Sequence, residues 1–244
     1  MNKKKTIIAA AVLTIVLLVG GILAYFTDTE EQTNIFTIGN VDITLTEAGW
    51  TEGSFVSDVW TASSNTGDYS RTEALNLTPN AVIPKAPIVT NVGSNDAYVY
   101  VKVQVPMDDA KTAAEALAGT AGANKELFTF TLNSGWRQLS RTEVDANTDT
   151  VADYAEYIFV YASGTHTGDS ILKEEMTILN KDGSATGTET PAVFNNVTLI
   201  DLAEVPASTD LEINVKAYAI QANNIDSAKT NAAQIYSLFA AQGE

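Results

Sequence analysis

Oxygen-bearing side chains recur at short intervals in residues 145–156, DANTDTVADYAE. Hard Ca²⁺ binds several oxygens that converge from a tight loop, and EF-hand-type loops place them at loop positions 1, 3, 5, 9 and 12. The residues at these positions are Asp145, Asn147, Asp149, Asp153 and Glu156. However, position 6 is Thr150, where such a loop needs glycine, and the flanks have strand patterns. A calcium loop and a solvated acidic hairpin loop are therefore both open interpretations.

The chain's single histidine, His166, offers little for catalysis. A zinc peptidase of the H-E-x-x-H type needs two histidines on one helical face. A Ser-His-Asp triad with Asp169 and Ser170 would require three close sequence neighbours to converge, and the sequence lacks a G-x-S-x-G elbow. The absence of cysteine excludes thiol catalysis and cysteine metal sites. We therefore interpret His166 as an exposed loop residue and predict no catalytic residue and no enzymatic activity.

Five tyrosines on predicted strands allow two interpretations. They could form an exposed aromatic stripe for a sugar or a partner, or they could pack as cross-strand pairs. The pattern favours packing. The residues are Tyr98, Tyr100, Tyr154, Tyr157 and Tyr161.

Alternating apolar residues predict that these side chains are carried by an antiparallel β-protein. The clearest strand covers 97–105, where valines share one face and Tyr98, Tyr100, Lys102 and Gln104 share the other. Further strands are predicted near 41–45, 55–60, 128–132, 136–139, 154–161, 193–202 and 211–220. About eight strands at these spacings are typical of a β-sandwich.

Two helices complete the predicted fold. The first is short, capped by Asp108, and ends at Gly119. The second is C-terminal and capped by Asp226 or Ser227. Its apolar stripe consists of Ala228, Ala232, Ile235, Leu238 and Phe239.

The first residues have the composition of a secretory signal peptide. A basic MNKKK start precedes the uncharged apolar run TIIAAAVLTIVLLVGGILAYF. We predict a signal peptide at 1–24 with cleavage between Ala24 and Tyr25; an uncleaved membrane anchor is the alternative. Residues 25–34 are predicted to be a flexible acidic arm, and 35–241 a single β-sandwich domain.

The charge of the chain limits its partners. It has 30 acidic and 14 basic residues, a net charge of -16. Because phosphate binding needs a basic face, nucleic acid is excluded as a partner, whereas cations are plausible ligands. A secreted chain without disulfides must be held by packing, metal or partner contacts, and it suits a Gram-positive exterior.

Three segments in order resemble the TasA/camelysin family of secreted Gram-positive proteins: LAYFTDTEEQTNIFTIGNVDITLTE, IVTNVGSNDAYVYVKVQVP and INVKAYAIQANNID. The resemblance covers the leader, the first strand, 84–106 and about the last 35 residues; 107–190 match less well. It implies a jelly-roll sandwich exported with a dedicated signal peptidase. It also implies a fibre subunit that polymerises by adding its N-terminal strand to a neighbour, a form of β-augmentation.

On this basis the expected protein is a non-enzymatic subunit of an extracellular biofilm matrix. Its partners would be further copies, accessory matrix proteins and, during export, the signal peptidase, with membrane contact only through an uncleaved leader. It would need no cofactor, apart from Ca²⁺ if the 145–156 loop binds it. A camelysin-like metallopeptidase and a monomeric surface-binding module remain the alternatives. The residues expected in the donor strand are Phe26, Ile35, Phe36 and Ile38.

Overall fold

The structure, a computed structural model, describes residues 27–30, 41–48, 53–56, 59–62, 77–204, 211–223 and 225–240. The strands are β1 (Thr27–Glu30), β2 (Ile43–Ala48), β3 (Gly53–Val56), β4 (Val59–Ala62), β5 (Val82–Pro84), β6 (Ala86–Asn91), β7 (Ala97–Asp108), β8 (Lys125–Glu126), β9 (Phe128–Phe130), β10 (Trp136–Val144), β11 (Tyr154–Tyr161), β12 (Asn196–Leu199) and β13 (Asn214–Gln221). The helices are α1 (Ala113–Ala118) and α2 (Ala232–Ala240).

The largest sheet has six strands. Its order is β1-β13-β7-β11-β10, and β8 pairs with the end of β7. A second sheet has the order β5-β12-β9, and β2-β6 and β3-β4 form two separate pairs. All these pairings are antiparallel. The predicted class, an antiparallel sandwich-like all-β fold with minor helices, is confirmed.

The six-stranded sheet buries apolar residues on both faces. On one face, the valines of β7 and Ala217 and Ala219 of β13 pack against β2, β6, β9 and β12. We call this the inner face. On the other, the outer face, Tyr100 of β7 and Tyr218 of β13 pack beneath α2. This division follows from strand geometry, because successive side chains point to opposite faces.

Both helices begin later in the chain than predicted. Asp108 lies in β7 and accepts the Ala110 amide, while Thr112 caps α1 through a reciprocal capping box with Glu115. That box satisfies two free amides at once, which Asp108 alone cannot do. Similarly, Asp226 accepts the Ala228 amide in a separate turn, whereas Asn231 accepts the Gln234 amide at the start of α2. The caps predicted at Asp108, Asp226 and Ser227 were therefore wrong.

The aromatic side chains of β7 hold α2 in place. The Tyr100 hydroxyl donates to the Ala232 carbonyl at 2.9 Å, and its ring lies 5.2 Å from that of Tyr236 and 5.8 Å from that of Phe239. Burial raises the pKa of Tyr100 well above its ordinary value. Since Tyr98 is also buried, packing is confirmed for the two tyrosines on β7.

Candidate functional site at the edge of β13

The outer edge of β13 is paired along half of its length. β1 lies antiparallel to it, with Thr27, Asp28, Thr29 and Glu30 opposite Ile220, Ala219, Tyr218 and Ala217 in turn. Among the described residues, β1 does not extend along Asn214 and Val215 on the side away from β7. The edge of a sheet presents N–H and C=O groups to which another strand can bind.

Burial along β13 changes where the pairing with β1 ends. Residues 217–221 are buried, Lys216 and Val215 are half-buried, and Asn214 is exposed. On the outer face the sequence changes at the same point, from Ile220 and Tyr218 beneath α2 to Lys216. The N-terminal part of β13 is therefore the less covered part.

A groove of about 430 Å³ lies against this part of β13. Its apolar lining comes from Leu45 of β2 and from Ile213 and Val215, which also pack against the inner core. Its polar lining consists of Glu47, Lys85, Lys102, Gln104, Asn214 and Lys216. The groove thus combines a strand edge, an apolar surface and charged groups.

Two of the lysines face each other across β7 and β13. Lys102 and Lys216 are register partners, and their ammonium groups lie 5.7 and 5.3 Å from the centre of the Tyr218 ring. Glu156 of β11 lies 3.6 Å from the Lys102 ammonium and accepts a hydrogen bond from Gln104. Cation–π contacts with an aromatic face partly offset the repulsion between such lysines.

Lys85, which also lines the groove, is held in place by an ion pair. Its ammonium donates to both carboxylate oxygens of Glu47, at 2.7 and 2.9 Å. Both side chains are largely covered, with 12% and 22% of their surface exposed. This ion pair connects β2 to the segment between β5 and β6 and so fixes one wall of the groove.

The predicted donor and cleavage residues lie outside the described part of the chain. These are Ala24, Tyr25, Phe26, Ile35, Phe36 and Ile38. Within the predicted arm, the structure places Thr27–Glu30 as an edge strand on β13 of the same chain. Donation of this segment to another copy stays a prediction.

The predicted calcium residues do not all come together. Asp145 accepts the Thr148, Asp149 and Thr150 amides, and Asp153 accepts the Ala146 and Asn147 amides. Glu156 points to Lys102 and Gln104 instead. In the described part of the chain no three His, Asp or Glu side chains form a group that could hold a metal ion. Calcium binding by this loop stays a prediction.

The histidine contacts a glutamate. His166 Nδ1 lies 2.6 Å from Glu175 Oε1, and the Leu172 amide donates to Glu175 Oε2. These two contacts, the backbone amide foremost, lower the pKa of Glu175. Asp169 and Ser170 lie in a separate short 3-10 turn. The imidazole is exposed, as predicted.

The sequence analysis missed the lysine groove. Lys102 and Lys216 are far apart in sequence, and only the pairing of β7 with β13 brings them together. A signal was nevertheless present, because each is a lysine within a mostly apolar or aromatic strand of a strongly acidic chain.

Comparison with known proteins finds a match to a family model. Residues 1–52 match the family of camelysin metallo-endopeptidases. The predicted camelysin resemblance is confirmed. The match covers the predicted leader, the arm and β2. No curated protein and no solved structure matches the camelysin-like chain. Neither helix among the described residues is long and apolar enough to cross a membrane.

Proposed function

We propose that this camelysin-like chain is a secreted structural subunit of an extracellular biofilm-matrix fibre, which polymerises by donating its N-terminal strand to the next subunit. The observation that carries the proposal is the half-covered edge of β13. It binds a short strand from the chain's N-terminal region, and a groove lies against the residues of β13 next to that strand.

The physics of strand exchange supports the proposal. When identical chains exchange an element, the contacts in the assembly repeat those within one chain, so exchange costs little free energy. β1 pairs with β13 through only four residues. A strand with so few ladder bonds is easily released. Because each released arm leaves an edge that can accept another arm, the exchange can propagate into a fibre instead of closing as a dimer.

Export is part of the same proposal. The predicted leader at 1–24 and the family match over 1–52 support secretion to the matrix or the cell surface. Once the leader is cleaved, the N-terminal arm can leave its own sheet. An uncleaved leader would instead hold the start of the arm at the membrane. The N-terminal residue of protein recovered from culture supernatant tests this point, with Tyr25 expected.

A cysteine pair tests strand donation directly, since the chain has no cysteine of its own. Asp28 and Ala219 are register partners in the β1–β13 pair. Cysteines introduced at such positions are close enough to form a disulfide. In the variant Asp28→Cys, Ala219→Cys, oxidation under fibre-forming conditions should give a ladder of covalent multimers on a non-reducing gel.

The controls separate donation from pairing within one chain. Each single-cysteine variant should give at most dimers. The pair Asp28→Cys, Lys181→Cys, in which Lys181 is exposed and lies outside the β1–β13 register, should give no ladder. If the double variant yields only internally linked monomers while fibres form, strand donation is wrong.

The family description favours a second candidate, a metallopeptidase. Such an enzyme would have to hold its metal with few histidines, since the chain has one. Casein hydrolysis by the exported chain, with and without a chelator, tests this function. Robust cleavage that the chelator abolishes would replace the structural role with the enzymatic one.

A further inference from the structure

One exposed turn of the chain contains an aspartate followed directly by a glycine. Residues 181–184 form this turn, in which the Ser184 amide donates to the Lys181 carbonyl at 3.3 Å. Asp182 and Gly183 occupy its centre, and both are exposed. Gly183 has a φ of 77°, a left-handed conformation that suits glycine. The amide nitrogen of a glycine is also easy to approach, because no Cβ stands beside it.

The peptide unit between Asp182 and Gly183 makes no hydrogen bond in the described part of the chain. The Asp182 carbonyl accepts none there, and the Gly183 amide donates none. The Asp182 carboxylate likewise has neither a hydrogen bond nor an ion pair with the described residues. A Cβ placed on Gly183 would meet no atom within 4 Å. This peptide unit can therefore rotate until the amide nitrogen faces the side-chain carboxyl group.

Other exposed aspartates lack this freedom. The amide that follows Asp149 donates to the Asp145 carboxylate at 2.8 Å. The amide that follows Asp169 donates to the Thr167 carbonyl at 3.3 Å. An amide held in this way cannot attack the neighbouring carboxyl group without first losing its hydrogen bond. The fold thus distinguishes Asp182 from aspartates that are equally open to solvent.

We propose that Asp182 is a site of spontaneous isomerisation to isoaspartate. The Gly183 nitrogen attacks the carbon of the protonated side-chain carboxyl group, an N–Cγ bond forms, and the amide hydrogen and the carboxyl hydroxyl leave as water. Water then opens the resulting five-membered imide. Cleavage between the nitrogen and the main-chain carbonyl carbon leaves the peptide running through Cγ and frees the α-carboxylate, whereas cleavage of the N–Cγ bond restores aspartate. The reaction needs no cofactor and no oxidant, and it does not depend on the proposed function.

Isomerisation alters a contact between two loops. The Lys181 amide donates to the Asp96 carboxylate at 3.0 Å, and the Asp182 amide donates to the Gly93 carbonyl at 2.8 Å. These bonds join the turn to the connection between β6 and β7. An isoaspartyl residue adds one carbon to the main chain, so the turn can no longer fit both bonds. The β6–β7 connection then loses a support, and the modified chain opens locally at this point.

Prolonged incubation at neutral pH tests the assignment. The full-length chain is expressed in a secreting host and purified as exported. Chymotrypsin then releases peptide 180–194, in which Asp182 is the sole aspartate, and peptide 162–172, which contains Asp169. Isoaspartate is detected as a second peptide of identical mass and different retention, and as a methyl acceptor for protein isoaspartate methyltransferase. Its fraction should rise steadily with time in peptide 180–194, while peptide 162–172 stays unmodified.

Two variants and one change of solvent isolate the cause. Asp182→Glu keeps the charge, but attack by Gly183 would have to form a six-membered ring, so the second peptide should disappear. Gly183→Ala should slow the reaction about tenfold, because the added Cβ stands beside the attacking nitrogen and restricts the backbone. In concentrated urea, which unfolds the chain and frees its amides, the Asp169 peptide should become reactive as well.

The outcomes decide the proposal without reference to fibre formation. Absence of isoaspartate from peptide 180–194 would overturn it, and so would equal modification of Asp182 and Asp169 in the folded chain. Hydrogen exchange on the aged sample checks the local opening, since the amides of Lys181 and Asp182 should exchange faster than in fresh protein. Unchanged exchange despite extensive modification would refute the loss of the loop contact.

Discussion

The two edges of the six-stranded sheet are built in opposite ways. At β13 the four-residue strand β1 covers Ala217–Ile220, and a groove lined by apolar and charged residues lies beside Asn214–Lys216. At β10 the register shifts between Gln138 and Ser140, and the strand then continues through exposed residues 140–143. Bulges and exposed charges are the devices by which proteins prevent pairing at an edge.

Ion pairs also lie along the β10 edge. Arg141 contacts Glu126 at 2.7 Å and Glu143 at 3.0 Å, and its guanidinium lies over the ring of Tyr157. A 3-10 turn, Gly168–Ser170, lies beside Leu139 near the start of the strand. Among the described residues the two edges therefore differ in kind: a bulge and ion pairs mark the β10 edge, whereas a short strand and a groove mark the β13 edge.

The largest expected effect comes from removing the support beneath β13. Phe239 of α2 is buried against Tyr100 and Tyr218. Phe239→Ala should lower the free energy of unfolding by about 3–5 kcal/mol, the usual cost of such a cavity. Urea denaturation measures it. Ser237→Ala, at an exposed position of the same helix, should change stability by less than about 0.5 kcal/mol. A loss below about 1 kcal/mol for Phe239→Ala would mean that α2 does not support the sheet.

A smaller effect on stability is expected when the charged side chains at the β10 edge are removed. The variant Arg141→Thr, Glu143→Thr removes both charges without changing the net charge, and threonine favours strands. Stability should fall by about 1 kcal/mol or less, because exposed ion pairs contribute little. However, the chain should gain a second mode of association, visible by light scattering in a background that lacks residues 27–30.

The control for this experiment removes two consecutive residues of opposite charge that lie in a loop. Lys181→Thr, Asp182→Thr keeps the same net charge and alters an exposed turn away from both edges. This variant should remain monomeric in the same background. Equal association of the two variants would show that charge removal alone, and not edge pairing, is responsible.

Much of the sheet could be predicted from local pattern. The alternation in 97–105 reported both faces of β7 correctly, since a period of two is imposed by strand geometry. The pattern did not report where elements end. The strand predicted at 193–202 covers only Asn196–Leu199, and the one at 136–139 continues to Val144. Strand ends depend on which neighbour supplies hydrogen bonds, and that information is not local.

The candidate site was less predictable than the fold. The residues at 145–156 have a local spacing that resembles a ligand set, so the sequence drew attention to them. The groove depends on Lys85, Lys102 and Lys216, which come from three separate segments and meet only after the β5–β6 segment, β7 and β13 are assembled. Which strand lies at the edge of a sheet is also invisible in local sequence, because it depends on the pairing of distant segments.

The smallest expected effect comes from Glu115 of α1, which lies away from both edges of the sheet. Hydrogen bonds from Lys125, and then from Thr112, lower the pKa of Glu115 from 4.5 to about 2. Because the folded-state pKa is depressed, the carboxylate stabilises the fold above about pH 4.5, and this contribution is lost as the pH falls toward 2. Glu115→Gln should therefore be less stable than wild type at pH 7, and the difference should vanish near pH 2, as measured by urea denaturation. Glu174→Gln, at an exposed site, controls for the loss of one negative charge.

Since Glu115 anchors α1 to β8 and touches neither edge, fibre assembly at neutral pH should be unchanged in Glu115→Gln. Impaired assembly there would mean that α1, and not β13 alone, takes part in the subunit contact.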